Sequence, residues 1–117
     1  MINIFSSSRY KVNKKNIKEF AQAVLDGYQV TNLGVINIVF VGKRKMKDIA
    51  NTYKHENVAL PVLAFPYEKD KQSEEHIIGE VIICYPQAVL LAAERAKKVE
   101  DVMKQLIEHG IGNLYTK

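Results

Sequence analysis

Few side chains in this sequence could carry chemistry. They are three histidines, His55, His76 and His109, one cysteine, Cys84, and scattered carboxylates. Imidazole and thiolate are the donors that hold transition metals, and imidazole also exchanges protons near neutrality. Their spacing fits no standard zinc pattern: there is no C-x-x-C, no H-E-x-x-H and no pair of histidines four apart, so a metal site must be assembled from distant segments. His55 beside Glu56, and His76 beside Glu74 and Glu75, stand in polar stretches where an exposed histidine needs no function. Neither G-x-x-x-x-G-K-S/T nor G-x-G-x-x-G occurs, so no loop offers several backbone N–H groups to a phosphate. Basic residues cluster at Lys14, Lys15 and Lys18 and again at Lys43, Arg44, Lys45 and Lys47, an arrangement that by itself describes solvated helix faces.

The elements that must position these residues read as alternating strands and helices. Ile2, Ile4 and Phe5 open a strand, and Ser6 to Ser8 turn out of it. Asn13 has N-cap chemistry, and Ile17, Phe20, Ala21, Val24 and Leu25 line one helical face up to Gly27. Val35 to Val41, between Gly34 and Gly42, predicts a strand covered on both sides; Met46, Ile49, Ala50 and Tyr53 then fall at helical spacing. Val62 to Phe65, between Pro61 and Pro66, predicts a brief edge strand, because proline has no N–H for a ladder. Glu68 to Glu75 reads as a surface loop and Ile77 to Cys84 as a strand. Pro86 suits a first turn, giving a helix to about Lys97, and Val99, Val102, Met103, Leu106, Ile107 and Gly110 mark a second helix after a break near Lys98.

The 117 residues, 47% apolar and 26% charged, suffice for one domain over 1–117 with its own core and no disulfide or metal staple. The expected class is α/β (α+β), with about four strands in a mixed sheet against about four helices. A formal charge of +4 suits a polyanionic partner without requiring one. Cys84 in an apolar run predicts a buried free thiol and a reducing, cytoplasmic setting. The longest uncharged stretch, Gly27 to Gly42, is shorter than the ~20 residues a spanning helix needs, so no membrane partner is expected. Met1 to Phe5 followed by three serines does not read as a signal peptide.

The tail His109-Gly110-Ile111-Gly112-Asn113-Leu114 is unusual, since each glycine weakens a helix by about 1 kcal/mol relative to alanine. With this tail the chain resembles the YbeY family of rRNA-maturation endoribonucleases over nearly its whole length. Three blocks carry the resemblance: Ile36-Asn37-Ile38-Val39-Phe40-Val41-Gly42 leading into Arg44-Lys45-Met46-Lys47; Tyr53-Lys54 with Val62-Leu63-Ala64-Phe65-Pro66-Tyr67-Glu68; and Gly79-Glu80-Val81-Ile82-Ile83-Cys84. Their order and spacing precede a His-Gly pair at the family's distance.

The resemblance implies a zinc ion held by three histidines in H-G-x-L-H-L-x-G-Y-D-H, activating water for cleavage of single-stranded rRNA. His109 and Gly110 match the opening, Asn113 stands at the second histidine, and the third position falls two residues beyond Lys117. Catalytic zinc normally has three protein ligands and an exchangeable water, and an amide is a poorer zinc ligand than imidazole. In the family's Y-R-G-K-x-x-P-T-D-V-L-S-F-P, the arginine aligns with Lys54, the threonine and aspartate with Leu60 and Pro61, and the serine with Ala64. Lys54 keeps the charge but not the planar fork that grips phosphate at two points. The resulting expectation is a binder of single-stranded rRNA or a ribosomal subunit with weak or no hydrolysis and without retained zinc. Lys54, Lys43, Arg44, Lys45 and Lys47 are the candidate RNA contacts, and His109 is the one matching metal ligand. Two alternatives remain open: an active endoribonuclease whose missing ligands come from His55, His76 or a second chain, and a truncated remnant or protein-interaction domain without an RNA role.

Overall fold

A computed structural model describes residues 1–28, 34–67 and 76–115, with the side chain of His76 outside that set. Four strands form one mixed sheet in the order β1-β2-β4-β3. β1 (Ile2–Phe5) and β2 (Gly34–Val41) run parallel, with Ile2 opposite Ile36, and β2 runs parallel to β4 (His76–Cys84). β3 (Val62–Pro66) is antiparallel to β4 and occupies an edge, where the missing N–H of Pro66 is tolerated. It extends one residue past the expected end at Phe65 for that reason. A register shift at Val35/Ile36 leaves Ile78 as the extra residue of a bulge.

Strand alternation divides the core into two layers. Ile2, Ile36, Ile38, Phe40, Val81 and Ile83 share one layer with residues of α1 (Lys14–Gly27), α3 (Tyr85–Glu94) and α4 (Val99–Tyr115). Val41, Leu63, Ile82 and Cys84 share the other with Met46 and Ala50 of α2 (Lys43–Lys54) and with Ala59. Cys84 is fully buried, as its apolar setting predicts. The Asn13 side chain accepts the Asn16 N–H at 3.1 Å, so α1 starts where the capping chemistry places it.

One helix end differs from the sequence expectation. α3 stops at Glu94 rather than near Lys97, because Ala96 adopts φ 52° and the Lys97 N–H donates to the Ala92 carbonyl at 2.9 Å. That is a Schellman closure with alanine where glycine is usual, and it separates α3 from α4. α4 includes Gly110, as its spacing predicts, and continues through Gly112 to Tyr115. A Cβ on Gly110 would lie 2.6 Å from Val81 Cγ1, so the glycine allows close helix-to-sheet contact instead of ending the helix. The Glu68 to Glu75 stretch lies outside the described residues. Among the described residues no helix is long and apolar enough to cross a membrane.

Candidate functional site

α2 and α4 cover opposite faces of the sheet, yet both reach the edge strand β3. There they frame a cleft of about 290 Å³ lined by Lys54, Glu56, Leu60, Val62, His109 and Asn113, with Leu63 and Ala64 of β3 beside them. Lys54 is the last residue of α2. His55 follows in the left-handed conformation, φ 57°, and its N–H donates to the Ala50 carbonyl, which turns the chain so that Glu56 enters the cleft. His55 itself is exposed and does not line it.

From the other side, His109 and Asn113 sit one helical turn apart on the exposed face of α4. Asn113 Nδ2 lies 3.3 Å from His109 Nε2, a contact in which the amide donates when the imidazole carries its proton on Nδ1. Gly110, between them in sequence, faces Val81 and Val62 and fixes how closely this pair approaches β3.

The solved structure of a protein from Thermotoga maritima, determined in solution, matches this fold with a TM-score of 0.68 at 22% identity, over 97% of this chain and 71% of that one. Sequence comparison goes further. The profile described as Endoribonuclease YbeY matches residues 3–115. The chain belongs to the YbeY family. Endoribonuclease YbeY of Thermobifida fusca is 28% identical over 97% of this chain and 77% of its own length. The Thermodesulfovibrio yellowstonii protein of that name is 30% identical over 68% of this chain and half of its own length, and the Aquifex aeolicus one 27% identical over 89% and 68%.

Within the YbeY frame the cleft joins two segments far apart in sequence: Lys54, at the motif's arginine, and the His109/Asn113 pair. It does not include the basic cluster. Lys43, Arg44, Lys45 and Lys47 are exposed at the opposite end of α2, where Lys43 lies 11 residues and about 16 Å along the axis from Lys54. Lys43, Lys47 and Lys54 nevertheless fall on one flank of that helix, while Arg44 and Lys45 turn away. Glu56 is the cleft residue that sequence reading passed over as part of an exposed polar stretch; the signal was its place at the motif's lysine, a reversal of charge.

Zinc is the cofactor the family resemblance implies. His109 and Glu56 are the zinc-type side chains in the cleft, with Asn113 Nδ2 3.3 Å from His109 Nε2. Cys84 is buried in the α2 layer, where loss of solvation pushes its thiol above the usual range, only partly offset by the Gln87 backbone N–H and the Lys43 charge. Among the described residues no three His, Cys, Asp or Glu side chains stand close enough to share a metal.

Proposed function

We propose that this YbeY-family chain binds single-stranded rRNA, free or within a ribosomal subunit, and that hydrolysis is weak or absent because zinc is not retained. The reading rests on one juxtaposition: the cation at the family's arginine position shares a cleft with His109, whose Nε2 is engaged by an amide where the family has a second imidazole. Lys54 supplies a point charge for a phosphate oxygen, and the Asn113 amide and His109 ring offer donors and acceptors to a base edge. Lys43 and Lys47, on the same flank of α2, extend the positive track beyond the cleft, with Arg44 and Lys45 as outlying phosphate contacts.

Filter binding of single-stranded rRNA fragments from about 50 to 200 mM salt tests the proposal, since each lost phosphate contact lowers the log–log slope by about 0.7 for single strands. Lys54→Ala is expected to weaken binding and reduce the slope by about that amount. Affinity indifferent to salt rejects a phosphate-dominated contact. Stoichiometric zinc in the purified protein, with chelator-sensitive RNA cleavage, rejects the loss of metal chemistry.

A further inference from the structure

The C-terminal ends of β1, β2 and β4 carry a second surface that the cleft does not use. Phe5, Val41 and Cys84 end these strands, and from there the chain leaves into the 6–13 loop, α2 and α3. Tyr10 of the loop stacks on Tyr85 of α3, with ring centroids 4.8 Å apart and planes inclined by 27°. Tyr10 separates two depressions. One, about 480 Å³, includes Ser6, Ser7 and Gly42 and has Lys14 and Lys45 on its rim; the other, about 390 Å³, is walled by Pro86, Val89 and Leu90 with Arg9 and Lys43 at its edge.

We propose that these paired depressions form a second nucleotide-binding groove, taking phosphates on the Lys14/Lys45 side and a base against Tyr85, Val89 and Leu90. The proposal rests on the RNA-binding reading of the chain. Two features select the ligand class. Cations arrive from the 6–13 loop, α1 and α2, no Asp or Glu lines either depression, and none of these four cations pairs with a carboxylate among the described residues. Beside them Val89 and Leu90 are 39% and 45% exposed, so the wall of the second depression offers apolar surface next to the cations. Negative charge adjacent to a flat apolar face is the chemistry of a nucleotide, and single-strand sites combine a basic track with stacking surfaces in this way. Concavity and alternating character distinguish the surface from a membrane-binding face, which presents one continuous apolar stripe. Lys43, at the edge of the second depression, and Lys54 share one flank of α2 and lie 11 residues apart, about 16 Å along its axis, so one strand of several nucleotides reaches both the groove and the cleft.

The test uses the full chain, a fluorescent oligouridine of about 12 nucleotides and anisotropy across a salt series. Lys14→Gln/Lys45→Gln alters exposed side chains only, and circular dichroism confirms its fold. The double variant is expected to weaken binding at least fivefold and to lower the salt slope by about 1.4, two contacts at about 0.7 each. Photocrosslinking of a 4-thiouridine strand is expected to label the Tyr10 or Tyr85 peptide. Unchanged affinity of the double variant while Lys54→Ala weakens binding overturns the groove, removes Lys45 from the phosphate contacts and leaves the Lys54/His109 cleft intact. The reverse pattern upholds the groove and removes the cleft from RNA binding. Absence of RNA binding by the unaltered chain overturns both. Phosphatidylserine vesicles that bind the unaltered chain but not the double variant, with RNA affinity unchanged, reassign the surface to a membrane.

Discussion

Gly110→Ala is expected to destabilise the protein even though alanine is the better helix former. The added Cβ would lie 2.6 Å from Val81 Cγ1, 3.2 Å from Cγ2 and 3.5 Å from Val62 Cγ2. Val81 is fully buried and β-branched, so its methyls cannot rotate away cheaply. Overpacking of this kind costs about 1–3 kcal/mol, whereas exchanging glycine for alanine inside a helix returns about 1 kcal/mol. The net expectation is a loss of about 1 kcal/mol, read by urea denaturation with an unchanged m-value. Gly27→Ala is the control, because nothing lies within 4 Å of its added Cβ; it should leave stability equal or raise it by a few tenths of a kcal/mol. Adding Val81→Ala to Gly110→Ala removes the colliding methyls, so the double variant should be more stable than the summed single losses by at least about 0.5 kcal/mol. Since Gly110 sets the distance of His109 and Asn113 from β3, RNA affinity should fall in Gly110→Ala and recover in the double variant. If Gly110→Ala stabilises as Gly27→Ala does, the close approach of α4 to the sheet is wrong, and so is the account of how the cleft is held.

Two further outcomes follow from the same geometry. Asn113→His places two imidazoles one turn apart and frees His109 Nε2 from the amide; zinc affinity, measured against a chromophoric chelator, should rise at least tenfold, about 1.4 kcal/mol. An unchanged affinity would show that the two side chains do not share a face. Burial raises the Cys84 thiol above its ordinary 9.0 and the Tyr115 hydroxyl above its ordinary 10.0, so the folded chain holds these protons more tightly than the unfolded one. Their stabilisation is complete below about pH 9 and is lost as pH rises through the folded values. Urea curves at pH 8 and about 10 should show stability falling with pH, and Cys84→Ala should flatten the early part of that fall; an identical decline in the variant would place the titrating group elsewhere.

The strands and helices were legible where hydrophobic period and capping chemistry agree. Ile36, Ile38 and Phe40 alternate with Asn37 and Val39 along β2, and Asn13 marks the start of α1, so both elements lie where the sequence puts them. The end of α3 was not legible, because Ala96 takes a left-handed conformation that glycine normally advertises. For Gly110 the cost to the helix is local and readable, while the contact with Val81 that makes it useful spans 29 residues. The cleft was half legible. Lys54 and His109 were singled out individually through family motifs, but nothing in their spacing shows that they meet. Nor did the chain order reveal that Lys43 to Lys47, only a few residues before Lys54, lie outside the cleft while Glu56 lines it. Tyr10 and Tyr85 are 75 positions apart, and only the parallel arrangement of β1, β2 and β4 brings their rings together.

The cleft straddles a sheet margin, so its two halves answer to separate hydrophobic compartments. Lys54 is carried by the Met46/Ala50 layer and His109 by the Ile107/Ile111 layer, with β3 as the seam between them. A substitution that loosens one compartment can move its own half of the site while leaving the other in register. The cationic and imidazole functions are therefore mechanically independent, and damage to one need not propagate to its counterpart.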